Sequence, residues 1–448
     1  MLIVGFGKSG QAALRYCLKQ GARSAVTDSR KREAFDLVLQ PFKGYPVDWY
    51  FGSQDIDLFL SADLIVVSPG VSWNSDPLKK ARAKGIPVIG ELELALSDSR
   101  FTTHDARIIA VTGTNGKTTT VTLIDHLLKT AGKKSLLAGN VGKPLLDCFD
   151  EMKSVSCLVL EISSYQMEAT PSLKPDVSVW LNVTEDHLDW HENFADYVKA
   201  KAKLIRQTAP NGLVIYNTED SVVSLAVEQI PSPRLGFSVK RELKIGGWVD
   251  GGTLVLKPAV SASPFQFDLK NVPLKGIHNW ENMLAALLAV TAIGDVPHSI
   301  LQKGLETFVP LPHRMQPVCQ RNGVTYINDS KGTNVGATLK ALVSCKAPLI
   351  WIAGGREKGG SYEPLVAWVK KKSKKAIFFG EAKENMARVF KQCTEVAVVG
   401  DLKEAVALSF ITAEAGDTVL FSPACSSFDM FKDYAERGKK FMEYVHQL

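Results

Sequence analysis

Cysteine and long hydrophobic runs are what this sequence has least of, and each shortage excludes a class of protein. Seven cysteines are scattered over 448 residues without a CxxC pair, which argues against a disulfide framework and against a zinc site. No apolar run reaches the roughly 18 residues that a bilayer-spanning helix requires. We therefore expect reduced thiols, a cytoplasmic location and no membrane partner.

Net charge is also small, because 53 Lys and Arg residues stand against 47 Asp and Glu residues, a formal balance of +6. The densest basic cluster, Lys370 to Lys375, lies at the end of a predicted helix, where cations interact favourably with the helix dipole. No aromatic residue interleaves with these lysines, as would be typical of a nucleic-acid interface. The charge therefore predicts small anionic substrates and no nucleic-acid partner.

The length of 448 residues predicts about three domains, since single hydrophobic cores rarely serve more than ~300 residues. Residues 1–100 alternate short apolar runs with helical stretches, and strands separated by helices predict a Rossmann-like parallel sheet. The first run, Met1 to Val4, leads straight into a glycine turn, which favours a buried strand over a signal peptide. A polar, non-periodic segment at 101–107 marks the first predicted boundary.

The remaining chain predicts two more α/β domains, a central P-loop ATPase-type domain at 101–308 and a Rossmann-like domain at 309–448. Within the central domain, residues 232–275 contain short strand-like pieces between Gly and Pro turns, which predict an added small antiparallel sheet. The run Val309-Pro310-Leu311-Pro312 is a stiff connector, because each proline fixes its own φ and restricts its neighbour. We expect this connector to flank a hinge that closes the domains on their substrates.

The strongest local motif is Gly113-Thr114-Asn115-Gly116-Lys117-Thr118, which lies between a predicted strand and a predicted helix. In such a loop, backbone N–H groups bind phosphate oxygens, the lysine neutralises the outer phosphates and the threonine hydroxyl reaches Mg²⁺. The usual pattern has four residues between its glycines, whereas this loop has two. The motif predicts an ATP-binding protein.

Two further polar groups follow buried strands of the same predicted sheet. Glu161 ends the apolar run Leu158 to Leu160 and is well placed to hold a metal ion beside the loop. The run 182–189 brings three carboxylates and His187 beyond another strand end. His187 is therefore a candidate metal ligand or general base, and a packed or surface histidine is the alternative.

The N-terminal run Gly5-Phe6-Gly7-Lys8-Ser9-Gly10 opens a helix after a strand, and Asp28 follows about twenty residues later. This pattern is typical of a dinucleotide-binding loop, but the same backbone geometry binds any diphosphate group. We interpret the first domain as the site of a nucleotide diphosphate of another kind, with a nicotinamide-dependent dehydrogenase as the alternative.

Polar clusters end consecutive predicted strands of the third domain, at the rim where α/β folds bind ligands. They are His313-Arg314, Asn328-Asp329-Ser330-Lys331 with Thr333, Gly354-Gly355-Arg356-Glu357-Lys358, and Ser422-Pro423-Ala424-Cys425-Ser426-Ser427. Ordinary loop solvation is the alternative interpretation of any one cluster. Together they predict a domain that holds an acceptor molecule and contacts ATP.

Taken together, these motifs resemble the Mur ligase family, ATP-dependent amide-forming enzymes of bacterial cell-wall synthesis. The resemblance spans nearly the whole chain. The matching segments are the short phosphate loop Val111 to Thr118, Glu161, residues 182–187, Gly276-Ile277-His278-Asn279 with Asn282, and Leu311 to Arg314. The opening glycine loop with Asp28, and residues 422–438, are most similar to the members that add D-glutamate. The Asp-Asn-Pro-Arg signature of members that add diaminopimelate or lysine is absent.

The resemblance implies the reaction and its cofactors. The terminal carboxylate of UDP-N-acetylmuramoyl-L-alanine would attack the γ-phosphate of ATP, and the amine of D-glutamate would then displace phosphate from the resulting acyl phosphate. ATP and two Mg²⁺ ions are the implied cofactors, and the partners are these small-molecule substrates. The implied enzyme is a monomeric ligase of peptidoglycan precursor synthesis in the bacterial cytoplasm.

The resemblance also implies roles for individual residues. The implied catalytic residues are Lys117, Glu161, His187 and Lys201. The implied metal ligands are Thr118, Glu161, His187 and Lys201, the last as a carboxylated lysine, with Lys199 and Lys203 as rivals for that role. ATP would contact Gly113, Thr114, Asn115, Gly116, Lys117, Thr118, Thr119, Asn279, Arg314, Asp329 and Lys331. The UDP substrate would contact Phe6, Lys8, Ser9, Asp28, Ser29, Ser68, Gly70, Asn140, Gln166 and His187. The amino acid would contact Thr333, Lys358, Ser427 and Tyr434.

Two departures from the family pattern leave the fine acceptor specificity open. Glu357 stands where many members have Asp or Gly, and Tyr434 is one of several aromatic residues found at its position. A sister ligase of peptidoglycan or folylpolyglutamate synthesis is therefore an alternative. So are the dehydrogenase named above and a regulatory P-loop ATPase that is indifferent to amino acids.

Overall fold

The computed structural model describes residues 1–52, 54–98, 106–152, 154–188 and 190–448. The first predicted domain boundary, at 101–107, lies largely outside these described residues. The described chain forms two compact units. Unit 1 consists of Met1–Val183, Val198–Val272 and Glu281–Glu306, and unit 2 consists of Thr184–Tyr197, Pro273–Trp280 and Thr307–Leu448. The predicted domain limits after residues 100 and 308 stay predictions.

Unit 1 begins with a five-stranded parallel sheet. Its strands are β1 (Leu2–Val4), β2 (Ser24–Asp28), β3 (Val47–Phe51), β4 (Ile65–Val67) and β5 (Val88–Gly90). Its helices are α1 (Lys8–Lys19), α2 (Ile56–Leu60), α3 (Asp76–Ala83) and α4 (Glu91–Leu96). The strand order is β3-β2-β1-β4-β5 and every pair is parallel. The predicted Rossmann-like sheet is confirmed, and β1 and β4 are buried on both faces, as parallel strands between helices must be.

A nine-stranded sheet forms the rest of the unit 1 core. Its strands are β6 (Arg107–Thr112), β7 (Ser135–Gly139), β8 (Cys157–Glu161), β9 (Val177–Trp180), β10 (Leu213–Asn217), β11 (Arg234–Ser238), β12 (Gly246–Asp250), β13 (Thr253–Lys257) and β14 (Phe265–Asp268). Its helices are α5 (Lys117–Thr130), α6 (Phe149–Met152), α7 (Ser164–Glu168), α8 (Phe194–Arg206), α9 (Ser221–Glu228), α10 (Ile277–Ala292) and α11 (His298–Thr307). α8, α10 and α11 each include residues assigned to unit 2.

The strand order of this sheet is β14-β13-β12-β11-β10-β9-β6-β8-β7. The pairs from β12 to β14 are antiparallel, as predicted for residues 232–275. They do not form a small sheet of their own, however, because β12 pairs in parallel with β11 and so continues the central sheet. The sequence could not distinguish the two arrangements, since both need the same short strands and turns.

Buried acids of α4 hold the first sheet against the central one within unit 1. Glu91 is 5% exposed, and its Oε1 accepts a 2.7 Å hydrogen bond from the backbone N–H of Leu146, in the turn that follows β7. Glu93 accepts a similar bond from the N–H of Ser172. Burial raises the pKa of the Glu91 carboxyl from 4.5 to about 7.

This burial predicts a pH dependence of stability that a Glu91→Gln variant should lose. The folded protein keeps the Glu91 proton up to pH ~7, whereas the unfolded chain releases it near pH 4.5, so the free energy of unfolding falls as pH rises between these values. The fall expected from this group is about 3 kcal/mol. Urea unfolding of both proteins between pH 4 and pH 8 measures it. Glu228→Gln, at an exposed site, controls for loss of a surface carboxylate, and parallel pH profiles of wild type and Glu91→Gln would contradict the prediction.

Unit 2 contains a six-stranded mixed sheet. Its strands are β15 (Gln316–Arg321), β16 (Val324–Asn328), β17 (Leu349–Gly354), β18 (Ser373–Phe379), β19 (Glu395–Val398) and β20 (Thr418–Phe421). Its helices are α12 (Val335–Ser344), α13 (Glu363–Lys372), α14 (Lys383–Phe390), α15 (Leu402–Thr412) and α16 (Tyr434–His446). The strand order is β15-β16-β20-β17-β18-β19, and only β15 pairs antiparallel among these strands. The α/β class predicted for this part of the chain is confirmed.

The basic cluster Lys370 to Lys375 spans the end of α13 and the start of β18. Lys372 donates to the carbonyl oxygens of residues 342, 343 and 345, which complete the C-terminal turn of α12. Lys374 pairs with Asp417 at 2.6 Å, and Lys375 pairs with Glu395 at 2.8 Å. These three lysines therefore serve helix capping and ion pairing. Among the described residues, no helix is both long and apolar enough to cross a membrane.

Candidate active site

A cavity of about 460 Å³ opens beside the β1–α1 loop of unit 1. Its lining includes six of the residues predicted for the UDP substrate, namely Lys8, Ser9, Asp28, Ser29, Ser68 and Gly70. It also includes Arg30, Gln54 and Val71, which the sequence did not single out. The parallel sheet explains the grouping, because β1, β2 and β4 are neighbours and the loops after them meet at one edge.

Both carboxylate oxygens of Asp28 in this cavity already accept hydrogen bonds from protein groups. Its Oδ2 accepts from the backbone N–H of Phe6 at 2.8 Å, and both carboxylate oxygens accept from the Arg30 guanidinium at 2.9–3.0 Å. Burial alone would raise the pKa of Asp28, but the bonds from Arg30 and Phe6 outweigh it and hold the pKa below its usual value. Because the Asp28 carboxylate is used to fix the loop, it is poorly placed to accept from a ribose hydroxyl, as the acid of a dinucleotide site does.

The prediction that Phe6 contacts the UDP substrate needs correction for its side chain. The ring is 1% exposed and packs edge-on against Phe35, Phe42 and Trp49, with centroid distances of 5.3–5.9 Å. An aromatic ring buried in such a cluster lies in the core of the first sheet. Arg30 could have been found from the sequence, because it comes two residues after the acid that ends β2.

The phosphate loop of unit 1 connects the end of β6 to the start of α5, as predicted. Asn182, which follows β9, braces it: its Oδ1 accepts from the N–H of Asn115, and its Nδ2 donates to the carbonyl of Asn115. The N–H of Thr114 also donates to the carbonyl of Asn182. β6 and β9 are adjacent in the sheet, and this pairing brings the two segments together.

Gly116 is the N-cap of α5 and has a φ of +88°, a conformation that side chains disfavour. A Cβ at this position would also lie 2.3 Å from Oδ1 of Asn282 on α10. The same Asn282 oxygen accepts a 3.3 Å hydrogen bond from the hydroxyl of Thr120. The shortened loop therefore needs glycine here both for its backbone and for the approach of α10.

Two lysine ammonium groups converge on one carbonyl oxygen of the phosphate loop. Lys117 Nζ donates to the Gly113 carbonyl at 2.7 Å, and Lys201 Nζ donates to the same oxygen at 2.9 Å. Lys201 is 1% exposed. The two alternative lysines considered from the sequence lie elsewhere, because Lys199 is exposed and Lys203 is paired with Glu168. Among the three candidate lysines, only Lys201 is placed at the loop.

Glu161 supplies an unsatisfied carboxylate oxygen at the carboxyl end of β8, next to β6. Its Oε1 accepts from Nδ2 of Asn140 at 2.8 Å, whereas its Oε2 is buried without a hydrogen-bond partner among the described residues. A buried carboxylate oxygen without a donor is costly unless a cation completes it. The residue set therefore fits a divalent cation, although no group of three His, Cys, Asp or Glu residues suited to a metal occurs in the described chain.

The amides predicted for the sugar side of the UDP substrate have structural partners. Asn140 holds Glu161, and Gln166 forms a capping box at the start of α7, where its Oε1 accepts from the N–H and hydroxyl of Ser163. Their predicted contact with substrate stays a prediction. Half-buried Thr118, predicted to reach Mg²⁺, begins α5 beside Lys117, and Thr119 is buried in the same turn.

His187 belongs to unit 2, together with the acid that precedes it. It has a φ of +57°, which is rare for a residue with a side chain and frequent at functional sites. Asp186 is buried, accepts a 2.8 Å hydrogen bond from Asn334, and lies 3.6 Å from both His187 Nε2 and Lys358 Nζ. Sequence reasoning gave Asp186 no role of its own, and Asp189 of the same run lies outside the described residues.

Three polar clusters of unit 2 meet at one edge of its sheet, because β16, β20 and β17 are adjacent and parallel. Asp329 follows β16 and accepts from the hydroxyl of Ser422, which follows β20, at 2.7 Å. Burial raises the pKa of Asp329 to about 6. Lys331 Nζ lies 3.7 Å from the ring centroid of Tyr434, a cation–π contact.

The other residues predicted for ATP and the amino acid also belong to unit 2. Ser427 is 2% exposed, the Thr333 N–H donates to the carbonyl of Lys331, and Asn279 Nδ2 donates to the carbonyl of Lys275. Arg314 is half-buried and follows His313, which has a φ of +62°. Their individual ligand contacts stay predictions.

Arg437, which the sequence did not single out as a functional residue, is fully buried behind these clusters. Its guanidinium donates to the carbonyls of Ser330, Cys425 and Ser426 and to the hydroxyl of Ser330, at 2.9–3.1 Å. Burial lowers its pKa to about 10. An arginine on a helix gives no sequence signal for such a role, since most helical arginines are solvated.

Family models match most of the chain. The MurD-like N-terminal domain of Mur ligases matches residues 1–90, the Mur ligase middle domain matches 111–290, and the glutamate ligase domain of Mur ligases matches 313–425. The short phosphate loop, Glu161 and Asn282 lie within the second match. His313, Asp329 and Lys358 lie within the third.

Relatives and solved structures agree with these models over the full length. The UDP-N-acetylmuramoylalanine–D-glutamate ligases of Geotalea daltonii and Geobacter metallireducens are each 39% identical, over 100% of this chain and 97% of the relative. A pseudomurein peptide ligase type C from Methanothermus fervidus and the UDP-N-acetylmuramate-alanine ligase MurC from Thermotoga maritima share the fold. Each has a TM-score of 0.61 and 18% identity, over 100% of this chain and 99% of the other. From its sequence similarity over the full length, the chain belongs to the Mur ligase family.

Proposed function

We propose that this protein is an ATP-dependent ligase that joins D-glutamate to UDP-N-acetylmuramoyl-L-alanine and releases ADP and phosphate. The observation that carries the proposal is the phosphate loop, where Lys117 and buried Lys201 share the Gly113 carbonyl beside a strand that ends in Glu161. The full-length relatives named above support the choice of substrates. ATP, UDP-linked precursors and the seven unpaired cysteines suit the bacterial cytoplasm, and we expect a monomer.

The reaction needs ATP because a carboxylate resists attack by an amine, its oxygen being a poor leaving group. In the first step a carboxylate oxygen of the alanyl substrate forms a bond to the γ-phosphorus of ATP, and the bond from that phosphorus to ADP breaks. In the second step the D-glutamate amine attacks the acyl carbon, phosphate leaves with the bonding electrons, and the new amide loses the amine proton. Catalysis of such transfers depends on positioning and on charge stabilisation.

The loop residues have separate tasks in the first step. The backbone N–H groups of residues 116–118, at the N-terminus of α5, bind phosphate oxygens. The Lys117 ammonium, held by two loop carbonyls at 2.7 and 2.9 Å, exchanges one of them for an oxygen of the transferring phosphoryl group. Asn182 keeps the loop backbone in place through its two hydrogen bonds to Asn115.

Mg²⁺ ions would be held in unit 1 by the Thr118 hydroxyl, the free Oε2 of Glu161 and a carboxylated Lys201. When bound, Mg²⁺ supplies positive charge that stabilises the phosphate oxygens during transfer. Asn140 fixes the other oxygen of Glu161, so Oε2 keeps one orientation. Thr118 contributes a neutral oxygen, which Mg²⁺ accepts together with carboxylates and water.

Two features favour carboxylation of Lys201 by CO₂. The first is repulsion, because two ammonium groups bonded to the same carbonyl oxygen destabilise each other. The second is burial, because Lys201 is 1% exposed and the attached carboxylate would be shielded from bulk water. The product carbamate keeps one N–H, which can still donate to Gly113, and its negative charge would then pair with Lys117.

The acceptor would bind in unit 2, where Lys358, Thr333 and Ser427 belong to loops at one edge of the sheet and Tyr434 begins α16. A dicarboxylate such as D-glutamate needs a cation and several hydrogen-bond donors, and Lys358 and the hydroxyls supply them. Asp186, 3.6 Å from Lys358 Nζ, holds that cation in place until a substrate carboxylate arrives. Neutral amino acids of similar length would lack one of the charges that this arrangement recognises.

Phosphate release with a panel of amino acids tests the proposal directly. With ATP, Mg²⁺ and UDP-N-acetylmuramoyl-L-alanine present, D-glutamate should stimulate release at least about tenfold over L-glutamate, D-alanine, L-lysine or diaminopimelate. Stimulation by another amino acid would instead indicate a sister ligase, and indifference to all of them would indicate a regulatory ATPase. A parallel titration with NADH and NADPH tests the dehydrogenase alternative, for which binding to the first-sheet cavity is the expected result.

A further inference from the structure

The segment 354–362 carries Lys358, the cation proposed to bind the acceptor, and on the N-terminal side of this lysine it is attached to the neighbouring loop 422–427. The Gly354 N–H donates to the Pro423 carbonyl at 3.0 Å. Arg356 and Ser426 exchange backbone hydrogen bonds of 3.0 and 2.9 Å, and the Ser426 hydroxyl also donates to the Arg356 carbonyl. Beyond Lys358 the segment contains Gly359 and Gly360, both with positive φ. Two consecutive glycines would leave the backbone on the C-terminal side of Lys358 mobile unless a second attachment holds that side as well.

A hydrogen-bonded chain of side chains provides that second attachment. The Tyr362 hydroxyl donates to Oε1 of Glu357 at 3.0 Å and lies 3.2 Å from Sγ of Cys425. Because a tyrosine has one hydroxyl proton and Glu357 can only accept, the Cys425 thiol must be the donor to Tyr362. Burial raises the pKa of Cys425 to about 12, so the thiol keeps the proton it donates. Asn385 of α14 donates to the same Oε1 at 2.7 Å.

We propose that Tyr362 and Glu357 are positioning residues that lock Lys358 at a fixed distance from Ser427 and so set the affinity for the D-glutamate acceptor. The inference rests on the function proposed above. Cys425 lies two residues before Ser427, and Glu357 lies directly before Lys358, so the chain of hydrogen bonds joins the two acceptor loops beside both groups. With Arg356–Ser426 it forms a double attachment that spans the glycines.

The physical need for such a lock follows from the substrate. A dicarboxylate held at both ends requires its cation and its hydroxyl donors at a set separation, with a tolerance of roughly 0.5 Å. Glu357 meets this need because its Oε1 accepts from both Tyr362 and Asn385. Tyr362 is 8% exposed and packs near Phe390, so its ring stays in the core when only the hydroxyl is removed.

The test is Tyr362→Phe, with Tyr326→Phe as a matched control. Tyr326 is also buried in unit 2, but its hydroxyl has no hydrogen-bond partner among the described residues. Tyr362→Phe removes the hydroxyl that joins Glu357 to Cys425, and it should raise KM for D-glutamate about fivefold while kcat and KM for ATP stay within twofold of wild type. Tyr326→Phe should change none of them. Equal D-glutamate KM values for wild type and Tyr362→Phe would overturn the proposal.

Substitutions of Glu357 separate positioning from simple loss of charge. Glu357→Ala should raise KM for D-glutamate at least as much as Tyr362→Phe, because it removes the same bond and also the bond from Asn385. The double variant should then be no worse than Glu357→Ala alone, since the Tyr362–Glu357 bond is already lost in that variant. Glu357→Gln keeps an oxygen acceptor and should restore nearly wild-type KM. A multiplicative effect in the double variant, or a Gln variant as poor as the Ala variant, would contradict the lock.

Hydrogen exchange gives a readout that does not need the proposed substrates. Tyr362→Phe should speed amide exchange in both 354–362 and 422–427, and Tyr326→Phe should speed it in neither. Unchanged exchange in Tyr362→Phe overturns the coupling even if the protein proves to use another acceptor. Conversely, faster exchange in both segments, with a wild-type enzyme that ignores D-glutamate, supports the coupled loops and rejects only the acceptor named under the proposed function.

Discussion

Replacing Lys201 with methionine is expected to lower kcat about a thousandfold while leaving the folded protein as stable as wild type. The catalytic loss follows because the proposed carbamate, a ligand for Mg²⁺, cannot form, and a loss of about 4 kcal/mol of transition-state stabilisation corresponds to that factor. Stability should not fall, because a buried polar side chain is replaced by an apolar chain of similar length and Gly113 keeps its bond from Lys117. Phosphate release and thermal unfolding measure the two effects.

Lys199→Met is the matched control, since Lys199 lies on the same helix and is exposed. It should retain wild-type activity. NMR in ¹³C-labelled bicarbonate provides a direct check, with a carbamate signal expected in wild type and in Lys199→Met and none in Lys201→Met. A Lys201→Met enzyme with normal kcat, or a wild type without the signal, would contradict the proposed role of Lys201.

Replacing Lys117 with methionine is expected to lower kcat by a factor of about a thousand or more, with a smaller change in the affinity for ATP. The ammonium stabilises charge on the transferring phosphoryl group, an interaction that strengthens in the transition state, whereas the backbone N–H groups of the loop bind ground-state ATP as well. The variant also removes one of the two donors to the Gly113 carbonyl. Single-turnover formation of ADP measures the chemical step, and calorimetry measures nucleotide binding.

Lys129→Met is the control for this variant, because Lys129 is on the same helix, is 58% exposed at its side chain and forms an ion pair with nearby Asp125. It should behave as wild type in both measurements. If Lys117→Met lost ATP binding and kept its single-turnover rate on bound ATP, the lysine would serve binding alone and the proposed role in phosphoryl transfer would be wrong.

Much of the fold could be predicted because its signals are local. Apolar runs that alternate with helical periods predicted the parallel sheets, and both the first sheet and the α/β class of the last part were confirmed. The antiparallel pieces near residues 246–268 were also predicted as strands. Their continuation of the central sheet was not, because strand pairing joins segments that are distant in sequence and short strands carry no record of their partner.

In the candidate site, too, local motifs could be predicted from the sequence and contacts between distant residues could not. The phosphate loop, Glu161 and the cavity residues around Asp28 were found from motifs of a few residues that follow strands. Three features were not found from the sequence. They are the buried ring of Phe6, the hydrogen bonds from Arg30 to Asp28, and those from Arg437 to three carbonyls. Each depends on groups brought together by packing, and side chains of the same type elsewhere in the chain are exposed.

The sequence by itself determined that this chain has a phosphate loop of shortened form, because a loop between strand and helix is encoded by six adjacent residues. Its resemblance to the Mur ligases likewise came from sequence motifs alone. Only the tertiary structure decided which of three nearby lysines reaches that loop, and that Oε2 of Glu161 lacks a donor among the described residues. Lys201 and Gly113 are 88 positions apart. Their contact arises from the packing of α8 against the sheet, and a spacing of two residues along a helix turns one lysine into the core and its neighbour into solvent.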